Sequence, residues 1–447
     1  MFDPGTVGVL VALLLGLVLL GVHVAVALGI TSMAGLYMVT GKWRIVEATL
    51  ASTSAEALRD FTFAVIPLFM LMGEFIARSG AITDIYTVIN RSIGRLPGRL
   101  AVATIIGNTI FSFVTGVSIA SAAAFSRIAY PEMKAHGYSR GFALGSIAGS
   151  SCLGMLIPPS VLMIVWGILT EQSIGRLFLA GVLPGVLIAT LFLAYAIGAA
   201  IVRPELAGGA GKDPPGDPLR AATPRGRVPL AQGLTSIGGI FAIIAAVLGG
   251  IWFGIFTPTE GAGAGAALAL LFAFSKGMRA KGLLSAIFSV GKTAAPILIL
   301  LLMAALYSRT LAMTGVTGGI QAFFMESGLS PYMVLALMVL VWFLLGMVID
   351  SISIMLLTVP IFEPLAMALG FDRTAFAVVG ILAIEAGLLT PPFGLLVYTV
   401  KAAIEDPEVG VQHIFMSAIP YWIIMLAGIA LILAFPAIAN YLPDLLF

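Results

Sequence analysis

The chain has 447 residues, of which 60% are hydrophobic and only 10% are charged, and its formal net charge is +2. Apolar runs of roughly 17 to 25 residues, the length that spans a bilayer as a helix, cover most of it. This composition excludes a large soluble α-protein, a nucleic-acid-binding surface and a transmembrane β-barrel with short alternating strands. We therefore expect an all-α integral membrane protein in the lipid bilayer, without an organic cofactor.

The first half is predicted to mix full spans with shorter pieces. Residues 43–60 combine charged and apolar positions, which is typical of a helix lying at the membrane interface. Residues 101–126 are rich in Gly, Ser and Thr at their centre, which favours a re-entrant hairpin. In order, the predicted segments are two short spans within 7–39, the interfacial helix 43–60, a span at 61–78, the hairpin 101–126, an interrupted helix at 145–170 and a span at 175–202.

The second half begins after a stretch rich in Pro, Gly and charge at 203–229, which we interpret as a solvated linker. It includes Arg203, Lys212, Arg220, Arg225 and Arg227. The predicted segments that follow are spans at 233–256, 260–275 and 284–308, a segment at 331–369 containing a second hairpin, a second interrupted helix at 380–402 and a final span at 413–436.

Two interrupted helices organise this pattern. Pro158-Pro159 and Pro391-Pro392 each lie inside an apolar helical run. A proline pair removes two backbone donors and clashes with the preceding turn, so each run is predicted to form two half-helices joined by unwound backbone. Unwound backbone at membrane depth is tolerated only where protein buries it or it lines a wet cavity. Two such helices in corresponding halves indicate a transporter binding site.

The two halves also match each other in sequence. Many paired residues lie 233 positions apart, namely Pro158 and Pro391, Pro131 and Pro364, Gly137 and Gly370, Arg140 and Arg373, Gly154 and Gly387, and Ser118 and Ser351. Basic loops at 91–99, 127–140, 203–229 and 276–281 all lie on the cytoplasmic side if the first hairpin enters and leaves there. Counting the membrane crossings from these loops puts the second hairpin on the periplasmic side. The two halves then have opposite orientations in the membrane, which defines an inverted-topology repeat. The acidic loop 403–412 runs against the charge rule.

This reasoning divides the chain into five parts. They are N-terminal scaffold spans with the interfacial helix (1–60), a first repeat with hairpin and broken helix (61–202), a cytoplasmic linker (203–229), further scaffold spans (230–283), and a second repeat with hairpin and broken helix (284–447). The hairpins and broken helices are expected to move together as a transport body.

Oxygen atoms at the hairpins and breaks are candidate Na⁺ ligands, since hard cations prefer oxygen and broken helix ends supply free carbonyls. The alternative is a pair of helix kinks packed by small residues. The first predicted set is Ser112, Thr115, Gly154, Ile157 and Pro158, and the second is Gly346, Gly387 and Thr390.

Charged residues within spans also require a reason, because each costs a few kcal/mol at the bilayer centre. Asp350 at the second hairpin can contact a cation or a substrate hydroxyl, whereas Glu385 can equally anchor unwound backbone. Arg309 can meet an anionic substrate or extend to the interface. We take Ser118, Asp350, Ser351 and Arg309 as candidate substrate-binding residues.

Four other sequence features bear on purely structural roles or on an enzyme activity. Thr257-Pro258-Thr259-Glu260 predicts a helix capping box, with Thr at the N-cap and Glu three residues later. Gly116-Val117-Ser118-Ile119 has the form of a rhomboid protease motif, but no histidine is placed as its base. Lone Cys152 excludes an intramolecular disulfide and a cysteine-based metal site. No Gly-rich phosphate loop with Lys is present.

Several motifs resemble the large membrane subunit of a TRAP (tripartite ATP-independent periplasmic) transporter, within the ion transporter superfamily. They are FTPTEGAGAG at 256–265, GNTIFSFVTGVSIASAAA at 107–124, PEMKAHGYSRGFA at 131–143, GMLIPPS at 154–160 and LLTPPFGL at 388–395. Together they span nearly the whole chain. The resemblance implies an elevator-type secondary transporter of the inner membrane, not an enzyme.

The resemblance further implies uptake of an organic acid, usually a carboxylate, driven by the Na⁺ gradient. It implies two partners, a small membrane subunit on a separate chain and a periplasmic substrate-binding protein. Two positions depart from the family pattern: Val117 stands where Ser is frequent, and Leu396 where Asn is frequent. A stand-alone divalent-anion/Na⁺ symporter of related fold is the alternative function.

Overall fold

The computed structural model describes residues 4–94, 96–208 and 230–447. Arg95 and the linker residues 209–229, which include Lys212, Arg220, Arg225 and Arg227, lie outside these ranges. The regular secondary structure in the described residues is helical, and one isolated antiparallel bridge joins Tyr138 to Ala207. Seven helical stretches among them are long and apolar enough to cross a membrane. The prediction of an all-α membrane protein is therefore confirmed.

Eleven of the described helices precede the linker. They are α1 (Pro4–Leu19), α2 (Val24–Thr40), α3 (Trp43–Arg59), α4 (Val65–Arg78), α5 (Ala81–Ser92), α6 (Arg99–Thr115), α7 (Ser118–Ala135), α8 (Arg140–Ser151), α9 (Leu153–Leu156), α10 (Val161–Thr170) and α11 (Ile174–Val202). A 3₁₀ turn at Phe61–Ala64 leads into α4.

The described helices after the linker complete the chain. They are α12 (Leu230–Trp252), α13 (Pro258–Ser275), α14 (Ala280–Thr314), α15 (Val316–Glu326), α16 (Pro331–Gly346), α17 (Ser351–Ala368), α18 (Arg373–Gly387), α19 (Leu395–Ala403), α20 (Val411–Ala434) and α21 (Ala437–Leu446). Helix α14 runs without a break across the predicted boundary between the scaffold spans (230–283) and the second repeat (284–447).

Both segments predicted as hairpins consist of two helices joined by a short turn. Helices α6 and α7 meet around Gly116 and together extend beyond the predicted 101–126 at both ends. The extension is physically reasonable because the end of α7, with Arg127 and Lys134, is polar and can stay helical outside the apolar layer. Helices α16 and α17 meet around Met347, and Asp350 caps α17 by accepting from the Ser353 amide at 3.0 Å.

Both proline pairs interrupt their helices. Helix α9 ends at Leu156 and α10 begins at Val161, while α18 ends at Gly387 and α19 begins at Leu395. The Pro158-Pro159 and Pro391-Pro392 peptide bonds are cis. We call residues 157–160 the first break and residues 388–394 the second break.

The two interrupted helices cross in opposite directions. At one end, Arg140, which begins α8, pairs with Glu408 beyond the end of α19. In the middle, the Cys152 thiol lies 3.6 Å from the Glu385 carbonyl oxygen. At the other end, Arg373, which begins α18, donates to the Thr170 carbonyl at the end of α10 over 2.5 Å. The start of each interrupted helix therefore lies at the end of the other.

The acidic loop 404–410 packs against the basic end of α7. Asp406 accepts hydrogen bonds from the Lys134 ammonium and the Tyr130 hydroxyl, each over 2.7 Å. These contacts explain the acidic loop that the charge rule left unaccounted for, because its carboxylates face basic residues at the same end of the molecule. The hydrogen bonds from Lys134 and Tyr130 hold the pKa of Asp406 well below its usual range.

Helix α13 begins as predicted. The Thr257 hydroxyl accepts from the Glu260 amide at 3.3 Å, and the Glu260 carboxylate accepts from the Thr257 amide at 2.9 Å. The capping box is therefore confirmed, and it satisfies two amides that the helix leaves without partners.

The lowered pKa of Asp406 predicts how acid affects stability. A carboxyl whose folded-state pKa is depressed adds stability above its unfolded-state pKa, and this stability is lost as the pH falls through the folded-state value. Asp406→Asn should therefore lower the melting temperature at pH 7 and weaken the fall in melting temperature below about pH 4. Thermal unfolding in detergent at several pH values measures both effects.

Asp444→Asn is the matched control, since Asp444 forms an exposed ion pair with Arg176 at the opposite end of the interrupted helices. Exposed pairs contribute about 0–1 kcal/mol. Equal losses in the two variants would contradict a special role for Asp406.

Candidate functional site

Each hairpin turn is hydrogen-bonded to the break of its own half or to the residue directly after it. In the first half, the Val161 amide donates to the Gly116 carbonyl over 3.2 Å, and in the second the Phe393 amide donates to the Met347 carbonyl over 3.0 Å. Gly116 has a φ of +60°. A β-carbon there would lie 2.2 Å from the Pro159 carbonyl oxygen, so a side chain would separate the first turn from the first break.

A buried carboxylate joins the two turns. The Ser118 hydroxyl donates to one oxygen of Glu385 over 2.6 Å, and the Ser351 hydroxyl donates to the other over 2.9 Å. Both serines are the first residues of the helix that follows a turn, and Glu385 is only 1% exposed. In the part of the chain that the structure describes, no basic side chain pairs with Glu385. Its side-chain hydrogen bonds in the described residues come from hydroxyl groups alone.

The first predicted ion set lies around the first turn and break. Ser112 and Thr115 are buried and donate their hydroxyl protons to the carbonyls of Asn108 and Phe111, which leaves hydroxyl lone pairs available. Gly154 packs against the backbone of Ser118. Among the described residues, no hydrogen-bond donor reaches the carbonyls of Ile157 and Pro158. The structure thus gathers five predicted residues near one turn and one break.

The second predicted set shows similar packing. A β-carbon on Gly346 would lie 2.7 Å from the Gly387 α-carbon, so the two helices touch through their backbones. The Thr390 hydroxyl donates to the Gly387 carbonyl over 2.6 Å, and Thr390 is 2% exposed. Gly346, Gly387 and Thr390 therefore lie together at the second turn and break.

The four predicted substrate residues do not all meet. Ser118 and Ser351 share Glu385, and Asp350 adjoins Ser351 but uses its carboxylate to cap α17. Arg309 is exposed on α14 and pairs with Glu56 of α3 at 3.3 Å. Arg309 also donates to Ser52 and Thr53 on the same helix. The structure therefore does not bring Arg309 to the other three.

Glu385 is the residue that the sequence-based site lacks. Cys152 and Glu385, which are in contact, are separated by 233 positions, the same offset that relates Ser118 to Ser351. The sequence did carry a signal for this residue. Glu385 is an acid within an apolar segment, and the offset of 233 positions relates it to Cys152 of the first broken helix. A second contact without a sequence signal is the 2.6 Å hydrogen bond from Asn108 to Ser150.

The groups that the described turns and breaks present are oxygen atoms and not a cluster of the usual metal-binding side chains. Within the described residues, no group of three or more His, Cys, Asp or Glu side chains is placed to hold a metal ion. What the turns and breaks offer is carbonyl and hydroxyl oxygen, which hard cations accept and transition metals do not require.

Comparison with known proteins places the chain in context. Residues 11–438 match the family model described as "Tripartite ATP-independent periplasmic transporter, DctM component". The chain is 31% identical over 399 residues to the C4-dicarboxylate TRAP transporter large permease protein DctM of Pseudomonas aeruginosa, covering 89% of each. It is 30% identical over 442 residues to the ectoine TRAP transporter large permease protein TeaC of Halomonas elongata, covering 98% of this chain and 99% of the relative.

Two further similarities are more distant. The sialic acid TRAP transporter large permease protein SiaM of Vibrio cholerae is 28% identical over 402 residues, with 86% of this chain and 87% of the relative covered. The crystal structure of the YdaH transporter of Alcanivorax borkumensis superposes with a TM-score of 0.60 at 15% identity, covering 90% of each chain. This last likeness concerns the fold alone.

The contact between Gly346 and Gly387 leads to a prediction about packing. Gly387→Ala places a methyl group 2.5 Å from the Phe343 carbonyl oxygen, so α16 and α18 must separate. Overpacking of this kind costs about 1–3 kcal/mol, and the melting temperature should fall. Gly263→Ala is the control, because nothing lies within 4 Å of its new methyl group. That helical position should gain about 0.5–1 kcal/mol. Similar melting temperatures for the two variants would contradict the close contact.

Proposed function

The chain belongs to the DctM component family, the large permease subunits of tripartite ATP-independent periplasmic transporters, and we propose that it imports an organic acid by Na⁺-coupled elevator transport. As a member of this family with seven candidate spanning helices, it is a multi-pass protein of the bacterial inner membrane. Its relatives are permeases and not enzymes. The observation that carries the proposal is the pair of turn-and-break arrangements with oxygen-rich interiors.

Na⁺ is the proposed coupling ion at both arrangements. One ion is held by Ser112, Thr115, Gly154, Ile157 and Pro158, and the other by Gly346, Gly387 and Thr390. The carbonyls of Ile157 and Pro158 have no donor in the described part of the chain, which supports their use as ligands. Such sites bind a cation without a buried carboxylate cage, so the ion can leave at the end of each cycle.

The organic acid is proposed to bind between the two turns, near Ser118 and Ser351. Helix α10 begins beside the first break, and α19 begins at the second break without a side-chain cap. Half-helix N-termini carry partial positive charge and are suited to a carboxylate. Asp350 is proposed to contact a donor group of the substrate. Arg309 is not included among the proposed substrate ligands, because its side chain pairs with Glu56 of α3.

We propose an inverted repeat and alternating access, and the following geometry supports both. The interrupted helices run in opposite directions and meet at Cys152 and Glu385. The equivalent breaks are unequally exposed: Ser160 in the first is 0% exposed, whereas Phe393, 233 positions later in the second, is 60% exposed. In the proposed cycle the first break becomes exposed while the second becomes buried, and this exchange gives access to the site from alternate sides of the membrane.

Two protein partners complete the proposed transporter. A small membrane subunit on a separate chain is proposed to cover the outer faces of the scaffold helices. A periplasmic substrate-binding protein is proposed to deliver the organic acid. The alternative, a stand-alone divalent-anion/Na⁺ symporter, needs neither partner and is separated by the second experiment below.

The first prediction concerns the ion and needs no substrate. Na⁺ should raise the melting temperature of the purified chain relative to choline at equal ionic strength, because the ion binds the folded state. Thr390→Val removes one ligand oxygen at nearly constant shape and should weaken the apparent Na⁺ affinity by about tenfold, or about 1.4 kcal/mol. Thr399→Val is the control, since Thr399 donates only within α19. Identical melting curves in Na⁺ and choline would refute the proposed ion sites.

The second prediction concerns the partners. Proteoliposomes containing this chain and its small subunit should take up an organic acid only when a periplasmic binding protein is added. The binding protein to use is the one encoded beside this chain, loaded with the organic acid that stabilises its folded state. An inward Na⁺ gradient should drive this uptake, and the rate should rise sigmoidally with Na⁺. Robust uptake by the large subunit alone would instead support the stand-alone symporter.

A further inference from the structure

A separate cavity of about 660 Å³ opens between the beginning of α8, the end of α11 and the beginning of α20. None of the residues that line it belongs to the proposed ion or substrate sites. It lies at the end of the molecule where the Ser139 amide donates to the Leu206 carbonyl over 2.9 Å. The basic residues concentrated there put this end on the cytoplasmic side by the positive-inside rule.

The mouth of the cavity is electropositive. Arg203 and His413 line it, both are exposed, and no Asp or Glu is among the lining residues. The side chain of Arg203 makes no hydrogen bond or ion pair with the described residues. Of the acids at this end, Asp406 and Glu408 are engaged by Lys134 and Arg140, and the exposed Glu205 does not line the cavity.

Two helix N-termini add to this potential. Ser139, the N-cap of α8, and Gly410, the N-cap of α20, both line the cavity, and Gly410 offers no side-chain cap to the amides of α20. The free amides and the helix dipole attract a negative group to such a position.

Below the mouth the cavity is apolar and aromatic. Tyr195 lies eight residues before Arg203 on α11, and Tyr421 lies ten residues after the start of α20. At 1.5 Å per residue, these two residues are about 12–15 Å along their helices from Arg203 and from the start of α20. Their centroids are 5.4 Å apart, and Phe142 and Met416 continue the apolar wall. The Tyr421 hydroxyl is buried and has no hydrogen-bond partner among the described residues.

We propose that this cavity binds an anionic phospholipid of the cytoplasmic leaflet. The phosphate lies at the mouth against Arg203 and the N-termini of α8 and α20. One acyl chain descends along Tyr195, Tyr421 and Met416. A free phosphate would use only the mouth, whereas a charged head above an apolar cleft matches the structure of a lipid.

The test is native mass spectrometry of the full-length protein after removal of bound lipid. The probes are phosphatidylglycerol, phosphatidylcholine with the same acyl chains, and glycerol 3-phosphate. Phosphatidylglycerol should bind most strongly, phosphatidylcholine should bind less, and glycerol 3-phosphate should not displace the bound lipid. Equal binding of the two lipids would overturn the proposal. Displacement by glycerol 3-phosphate would show a site for free anions instead.

Variants locate the lipid in this cavity. Arg203→Gln should weaken phosphatidylglycerol binding about fivefold, since a basic residue near the surface contributes about 1 kcal/mol. Met416→Glu, at a position 62% exposed, should also weaken it by placing a carboxylate beside the acyl chain. Arg127→Gln is the control, because Arg127 is an exposed arginine of α7 that does not line the cavity. Unchanged binding in Arg203→Gln, or an equal loss in Arg127→Gln, would refute the assignment.

Discussion

Unwound backbone inside an apolar layer must be covered, and this constraint shapes the centre of the protein. Each break, or the residue directly after it, is hydrogen-bonded to its own turn, by Val161 to Gly116 in one half and by Phe393 to Met347 in the other. The two turns then meet through Glu385, which accepts from Ser118 and Ser351. Separating any of these pieces would leave polar groups without partners, at a cost of about 1–3 kcal/mol for each. The four pieces are therefore expected to stay together throughout a transport cycle.

Charged side chains join the two halves at both ends of the same unit. Arg373 pairs with Glu363 of its own half at 2.5 Å and donates to the Thr170 carbonyl in the last turn of α10, while Arg140 and Lys134 hold the loop that follows α19. These contacts lie at the two ends of the interrupted helices, where the basic side chains of Lys134, Arg140 and Arg373 are partly exposed. In contrast, Arg309 joins α14 to α3, and this contact stabilises a different part of the protein.

Much of this organisation could be predicted from the sequence, because its signals are local. Apolar length predicts the spanning helices, proline pairs predict the breaks, and the Thr257–Glu260 motif predicts a capping box. The partners of Glu385 and Arg309 could not be predicted, since they lie on helices distant in sequence and no local pattern encodes the contact. The C-terminal end of α7 extends beyond the expected hairpin because polar residues can remain helical outside the membrane. The role of Asp406 likewise depends on a loop that meets α7 only in the folded chain.

The central claim is that turns and breaks form one moving body, and cysteine crosslinking tests it most directly. After Cys152→Ser, one pair of introduced cysteines should join the first turn near Ser118 to the first break near Pro158. A second pair should join α6 to α12, which touch in this structure. The account predicts that transport by the complete system survives the first crosslink and stops with the second, and that reduction restores it. Continued transport with the α6–α12 crosslink fully formed would contradict the account.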